Sequence, residues 1–156
     1  MPRHVALEAD GVKALAIMHD GASPKVCQAL WDRLPLALTF HHSNFCGGQV
    51  FAGLTGPNYV DIEREAGQLF IQPGDLVYAF RPPHLGRGAP AAFSEIALYY
   101  GRDARRWTTR GYGIVRDRAY GSTIWATVVE GLDRIAERLE DIRARGGKVV
   151  TITRVE

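Results

Sequence analysis

Residues 122–155, STIWATVVEGLDRIAERLEDIRARGGKVVTITRV, read without a break as strand, helix and strand. Leu132, Ile135, Ala136, Leu139 and Ile142 recur with the 3.6-residue period of a helix, so the spacing predicts a helix over 132–144. The other face carries Asp133, Arg134, Glu137, Arg138, Glu140, Asp141 and Arg143, an ordinary solvated surface. Gly146-Gly147 stops the helix, because glycine takes the left-handed conformation of a C-terminal cap without strain. Beyond it the period changes to two. Val150 and Ile152 fall on one face of a strand over 148–155, and Val149, Thr151, Thr153 and Val155 on the other.

The rest of the chain repeats this grammar. Ser23 is a good N-cap and Pro24 suits the first helical position. Val26, Leu30 and Leu34 then make an apolar stripe over a helix 24–34, with Cys27 a core thiol beside it and Pro35 as its end. Short strands are expected at 5–9, 12–18, 36–40, 49–54, 68–71, 75–80, 94–100 and 122–129, each bounded by Gly, Pro, Asn or Asp. Asp10-Gly11 predicts a type I′ hairpin. Many short strands with two isolated helices imply a mainly β chain, an antiparallel barrel or sandwich closed by helices. Strands and helices do not alternate, which argues against a doubly wound sheet. At 156 residues the chain is expected to be a single domain, 1–156, with a core that needs no staples.

Composition excludes several classes. The chain is 46% hydrophobic and 23% charged, unlike a disordered or fibrous protein. A net charge of +2, from 19 basic and 17 acidic residues, is too balanced to argue for nucleic acid or anionic lipid. Two cysteines, Cys27 and Cys46, make no disulfide framework. The start, Met1 to Ala6, lacks the apolar stretch of a signal peptide, and no apolar run is long enough to span a membrane. A cytoplasmic protein with reduced thiols is the expectation, with no membrane or nucleic-acid partner.

The densest chemical cluster is His41-His42-Ser43-Asn44-Phe45-Cys46. On a strand His41 and Ser43 face one way, His42 and Asn44 the other. A cysteine near a histidine can act as nucleophile and base, and histidine alone as acid or base near neutral pH. Adjacent histidines point apart, and no HExxH or CxxC is present, so no metal and no cofactor is expected. Glu95, in an apolar strand, would be a general base or an amide acceptor, with Arg81 or Arg87 as its partner from the Pro/Gly-rich loop 81–93. Six arginines between Arg102 and Arg118 interleave with Trp107 and Tyr112, which suits a lid or an oligomer interface.

Two segments carry a family resemblance. Ser23-Pro24-Lys25-Val26 resembles the opening of the first helix of cyclophilins, and Val128-Val129-Glu130-Gly131-Leu132-Asp133, followed by Gly147 to Ile152, resembles their end. The arginine that cyclophilins carry on the third strand is missing, since Phe40-His41-His42 stands there. The chain is more similar to small bacterial cyclophilin-like proteins of unknown function, through Phe45-Cys46-Gly47, Pro73-Gly74-Asp75, Ser94-Glu95-Ile96 and Thr127 to Gly131. The resemblance implies a closed cyclophilin-like antiparallel β-barrel capped by two helices. It also implies a groove that binds or transforms a small amide-, imide- or carboxylate-bearing metabolite. Any activity would be that of an isomerase or an amide or lactam hydrolase. Within that reading His41, Cys46 and Glu95 are the candidate catalytic residues. Asn44, Arg81, Tyr99 and Trp125 are the candidate substrate contacts; Trp125 is most simply a core residue, and the resemblance puts it near the barrel mouth. The alternatives are a non-enzymatic assembly module and, against the missing arginine, a prolyl isomerase. A homo-oligomer is expected.

Overall fold

Asp10 and Gly11 have φ of 49° and 76°, the double positive φ of a type I′ turn, so the strands on either side pair at once. These are β1 (His4–Ala9) and β2 (Val12–Met18). The computed structural model describes residues 1–44, 46–68, 70–83, 91–104 and 122–156. Six further strands follow: β3 (Leu36–His42), β4 (Gln49–Leu54), β5 (Asp75–Arg81), β6 (Phe93–Tyr99), β7 (Thr123–Glu130) and β8 (Lys148–Val155). They form a closed antiparallel barrel in the order β1-β2-β7-β5-β6-β4-β3-β8. The final strand makes the closure: Ile152 pairs with Leu7 of β1 on one side and Leu36 of β3 on the other. All three side chains point into the barrel and are at most 1% exposed.

Alternation fixes what lies inside. Leu7, Phe40, Leu54, Leu76, Tyr78, Ile96, Leu98 and Trp125 are fully buried in one core. Helix α1 (Pro24–Arg33) joins β2 to β3 and packs against β7 through Val26, Cys27 and Leu30. Helices α2 (Leu132–Glu140) and α3 (Ile142–Arg145) join β7 to β8, bury Ile135, Leu139 and Ile142, and pack on β1, β2 and β3. The single helix predicted over 132–144 is thus two, interrupted at Asp141. A strand predicted over 68–71 does not form among the described residues; only Gln68 pairs, with Ser122. Closure explains this, since β5 already has β6 and β7 as neighbours and no edge remains for a further strand.

The segment after β4 is fastened instead by side chains. The Tyr78 hydroxyl donates to the Val60 and Ile62 carbonyls and accepts from the Ile62 N–H at 3.0 Å. Thr123 Oγ1 accepts from the Glu65 N–H at 2.9 Å and donates to its carbonyl. The Glu65 carboxylate then accepts from the N–H groups of Lys25 and Val26, at 3.2 and 2.8 Å. Ser23, the residue expected to cap α1, makes no side-chain cap and donates its hydroxyl to the Ile124 carbonyl. The helix start is capped from forty residues downstream, by a charge that also suits the positive end of the helix dipole.

Two outcomes test this packing. Losing a helix cap costs about 1 kcal/mol, so Glu65→Ala is expected to lower the melting temperature by roughly 2–4 °C. An unchanged melting temperature contradicts the cap. Cys27 is fully buried as expected, and burial, aided by the Asp20 charge, pushes its thiol up to about 12. At about pH 8 roughly one such thiol in ten thousand is ionised, so iodoacetamide should leave Cys27 unlabelled in the native protein and label it after unfolding, as read by mass spectrometry.

Candidate functional site

β7 carries one residue more than β5 can match. Leu76 pairs with Ala126 but Val77 pairs with Ile124, which leaves Trp125 as the extra residue of a β-bulge. Ile124 and Thr127 are three residues apart and would face opposite sides of a regular strand. The bulge turns both outward, while Trp125 and Ala126 go into the core. Thr127 then stands directly across from Asp75.

A chain of hydrogen bonds runs outward from this pair. Thr127 Oγ1 donates to Asp75 Oδ1 at 2.9 Å, and His19 Nε2 lies 2.8 Å from the same Thr127 oxygen. Asp75 is buried, and its other oxygen accepts the Gln72 N–H at 2.8 Å. His19 is placed by the backbone: its N–H donates to the Trp125 carbonyl at 2.8 Å, and its carbonyl accepts from Ala22 and Ser23. The next residue, Asp20, is clamped by the Arg3 guanidinium and backbone N–H, which hold its carboxyl below the usual range. His19, Asp75 and Thr127 line a cavity of about 290 Å³, with Gln68, Ile124, Ala22 and Ala66 as its other walls. A broader depression of about 500 Å³ shares His19 and Ala22 and is bordered by Met1, Pro2 and Ile17.

Next to the cavity the outer barrel face is apolar. Val77, Ala97 and Tyr99 form a small buried cluster with Phe51, Ile71, Cys46, Ala104 and Ile124 around it. Ile124 therefore belongs to both the cavity wall and this cluster.

Those of the residues singled out from the sequence that are described divide into four groups. Cys46 and Tyr99 join the apolar cluster. Glu95 and Arg81 lie further along the same face, Glu95 across from Gly53 and Ala79, and Arg81 over the Phe93 ring at 5.8 Å. Glu95 and Tyr99 are four residue steps apart along the strand, about 13 Å. His41 is exposed on β3, its ring 6.2 Å from that of Phe51, and Asn44 is exposed beyond the strand end. Trp125 is 0% exposed and presents no ring face on which a ligand could stack, because the bulge commits it to the core. Phe45, Arg87 and residues 105–118 of the arginine-rich stretch lie outside the described residues.

His42, the neighbour of His41, faces inward as the alternation predicts. Its side chain is 6% exposed; Nδ1 lies 2.8 Å from the Ser43 carbonyl and Nε2 2.6 Å from the Tyr100 hydroxyl. Tyr100 donates to Glu140, and burial beside that carboxylate raises its phenol above the ordinary range. Glu140 also pairs with Arg143 at 2.6 Å, and Arg143 donates to the Gly47 carbonyl. This second polar chain joins the end of α2 to the loop that carries Cys46.

Sequence reading missed His19, Thr127 and Asp75 as a group. Asp75 was visible only as the end of a Pro-Gly-Asp turn, and Thr127 as part of the entry to the last helix. Among the described residues no group of three His, Cys, Asp or Glu is placed to hold a metal ion, and no helix is long and apolar enough to cross a membrane.

No curated protein matches the sequence. Among solved structures, the hypothetical protein AF2241 from Archaeoglobus fulgidus superposes with a TM-score of 0.57 at 17% identity, over 99% of this chain and 95% of that one. McbB, solved in complex with tryptophan, superposes with a TM-score of 0.61 at 15% identity, over 96% of this chain but 44% of that one. At such identities these likenesses show the fold alone. Residues 5–154 match a family described as "Protein of unknown function (DUF3830)". That match spans nearly the whole sequence, and the chain belongs to the DUF3830 family.

Proposed function

We propose that this protein binds a small amide-, imide- or carboxylate-bearing metabolite on the outer face of its barrel, seated in the cavity where His19, Thr127 and Asp75 meet. The observation that carries this reading is the cavity itself. It has the size of the smaller ligand sites and combines apolar walls with a few converging polar groups held from behind. Each polar group is fixed by rigid structure: Asp75 and Thr127 by strand pairing, His19 by the Trp125 carbonyl. The apolar strip around Tyr99 would take the body of the ligand, with Cys46 at its margin. His41, Asn44, Glu95 and Arg81 would be met only by a longer ligand, given their separation along the face.

The resemblance to cyclophilins supports a site on the outside of the barrel. It does not support prolyl isomerisation, because the strand that would carry the catalytic arginine has His41 exposed and His42 bonded to Tyr100. A homo-oligomer stays part of the proposal.

The test is a thermal-shift screen with cyclic amides and imides, ureides and small carboxylates. A ligand at about 100 times its dissociation constant adds about 2.7 kcal/mol, roughly 5–10 °C for a domain of this size. Thr127→Val keeps the side-chain shape and removes both hydrogen bonds, so it should abolish the shift. Arg81→Ala should leave the shift within about 1 °C of the parent. A full shift in Thr127→Val places the ligand elsewhere and overturns the assignment.

A further inference from the structure

Thr127 has one proton to give and gives it to Asp75 Oδ1. The Thr127 oxygen is then left as an acceptor toward His19, and the 2.8 Å contact requires that Nε2 carry the hydrogen. In the neutral ring Nδ1 is therefore a bare acceptor, and no described residue occupies it. The electrostatics of the cavity point the same way. Among the described residues its walls include one carboxylate, Asp75, and neither Arg nor Lys. Arg3, the partner of the neighbouring Asp20, is engaged by Asp20 and Gln28. An anionic ligand would enter beside the Asp75 carboxylate with no cation among the described walls, which is unfavourable.

We infer that the ligand of this cavity is neutral and presents an N–H donor, such as the N–H of a cyclic imide or lactam, to His19 Nδ1, with Thr127 and Asp75 positioning the ring in its Nε2–H tautomer. This rests on the cavity being a ligand site and narrows that reading by setting the carboxylates aside. The groups that face His19 are Thr127 and Asp75 from β7 and β5, Asp20 with its partner Arg3 beside it, and the Cys27 thiol behind it. The thiol itself donates to the Trp125 carbonyl.

Two measurements on the intact protein test the inference. Nitrogen-15 NMR of the imidazole at about pH 8, where an ordinary imidazole is neutral, should show His19 as the Nε2–H tautomer. An Nδ1–H tautomer overturns the inference whatever binds. Calorimetric titration at the same pH compares succinimide, N-methylsuccinimide and succinate. Succinimide should bind, and the other two should bind at least about tenfold more weakly, a difference of about 1.4 kcal/mol. If N-methylsuccinimide or succinate binds as tightly as succinimide, the donor assignment fails while the cavity stands as a ligand site. If none of the three binds, the ligand reading itself fails and the inference with it.

Discussion

One extra residue in β7 sets the site. Without the bulge at Trp125, Ile124 and Thr127 could not share a face, and a one-residue slip in a strand exchanges everything inside for everything outside. With it, Thr127 meets Asp75, the Trp125 carbonyl is free to hold His19 from behind and to take the Cys27 thiol, and the Ile124 carbonyl receives Ser23. The largest buried side chain and the polar cavity outside the wall are consequences of the same irregularity. A glycine or a polar residue at position 125 would remove the packing that holds the bulge in place.

Closure of the barrel supplies the rigidity behind it. Every strand has two neighbours, so the backbone groups are satisfied within the sheet and the outer faces are left to side chains. The chain uses that freedom unevenly. Between β4 and β5 it cannot add a strand, so it is fastened by Tyr78, Thr123 and Glu65, and this fastening carries Ala66 and Gln68 to the cavity rim. The same Glu65 starts α1, which ties the cavity wall to the helix that covers β7. At the other end His42, Tyr100, Glu140 and Arg143 join the last helices to the loop after β3.

Much of this frame was legible in the sequence because it follows local periodicity. The last strand, with Val150 and Ile152 inward, both helix stripes, the Asp10-Gly11 turn and the buried Cys27 follow from spacing and turn chemistry alone. The site was less legible because it depends on register. Asp75, Thr127 and His19 come from three separate parts of the chain, and only an unpredictable bulge brings two of them to one face. Trp125 is core, as its residue type suggests, and the bulge removes the ligand contact that the resemblance would give it. The N-cap of α1 shows the pattern in small. Ser23 has the right residue type in the right place, yet a carboxylate forty residues away takes the role because the segment that carries it is pinned alongside.

The proposed site is the His19–Thr127–Asp75 junction and not the Glu95–Arg81 end of the same face. Backbone-amide chemical-shift mapping by NMR, during titration with the strongest ligand found, distinguishes the two. The largest perturbations are expected at His19, Gln68, Asp75 and Thr127, fading along β6 from Tyr99 toward Glu95. Perturbations centred on Glu95 and Arg81, or on Asn44 beyond β3, with Thr127 unmoved, would contradict the proposed site.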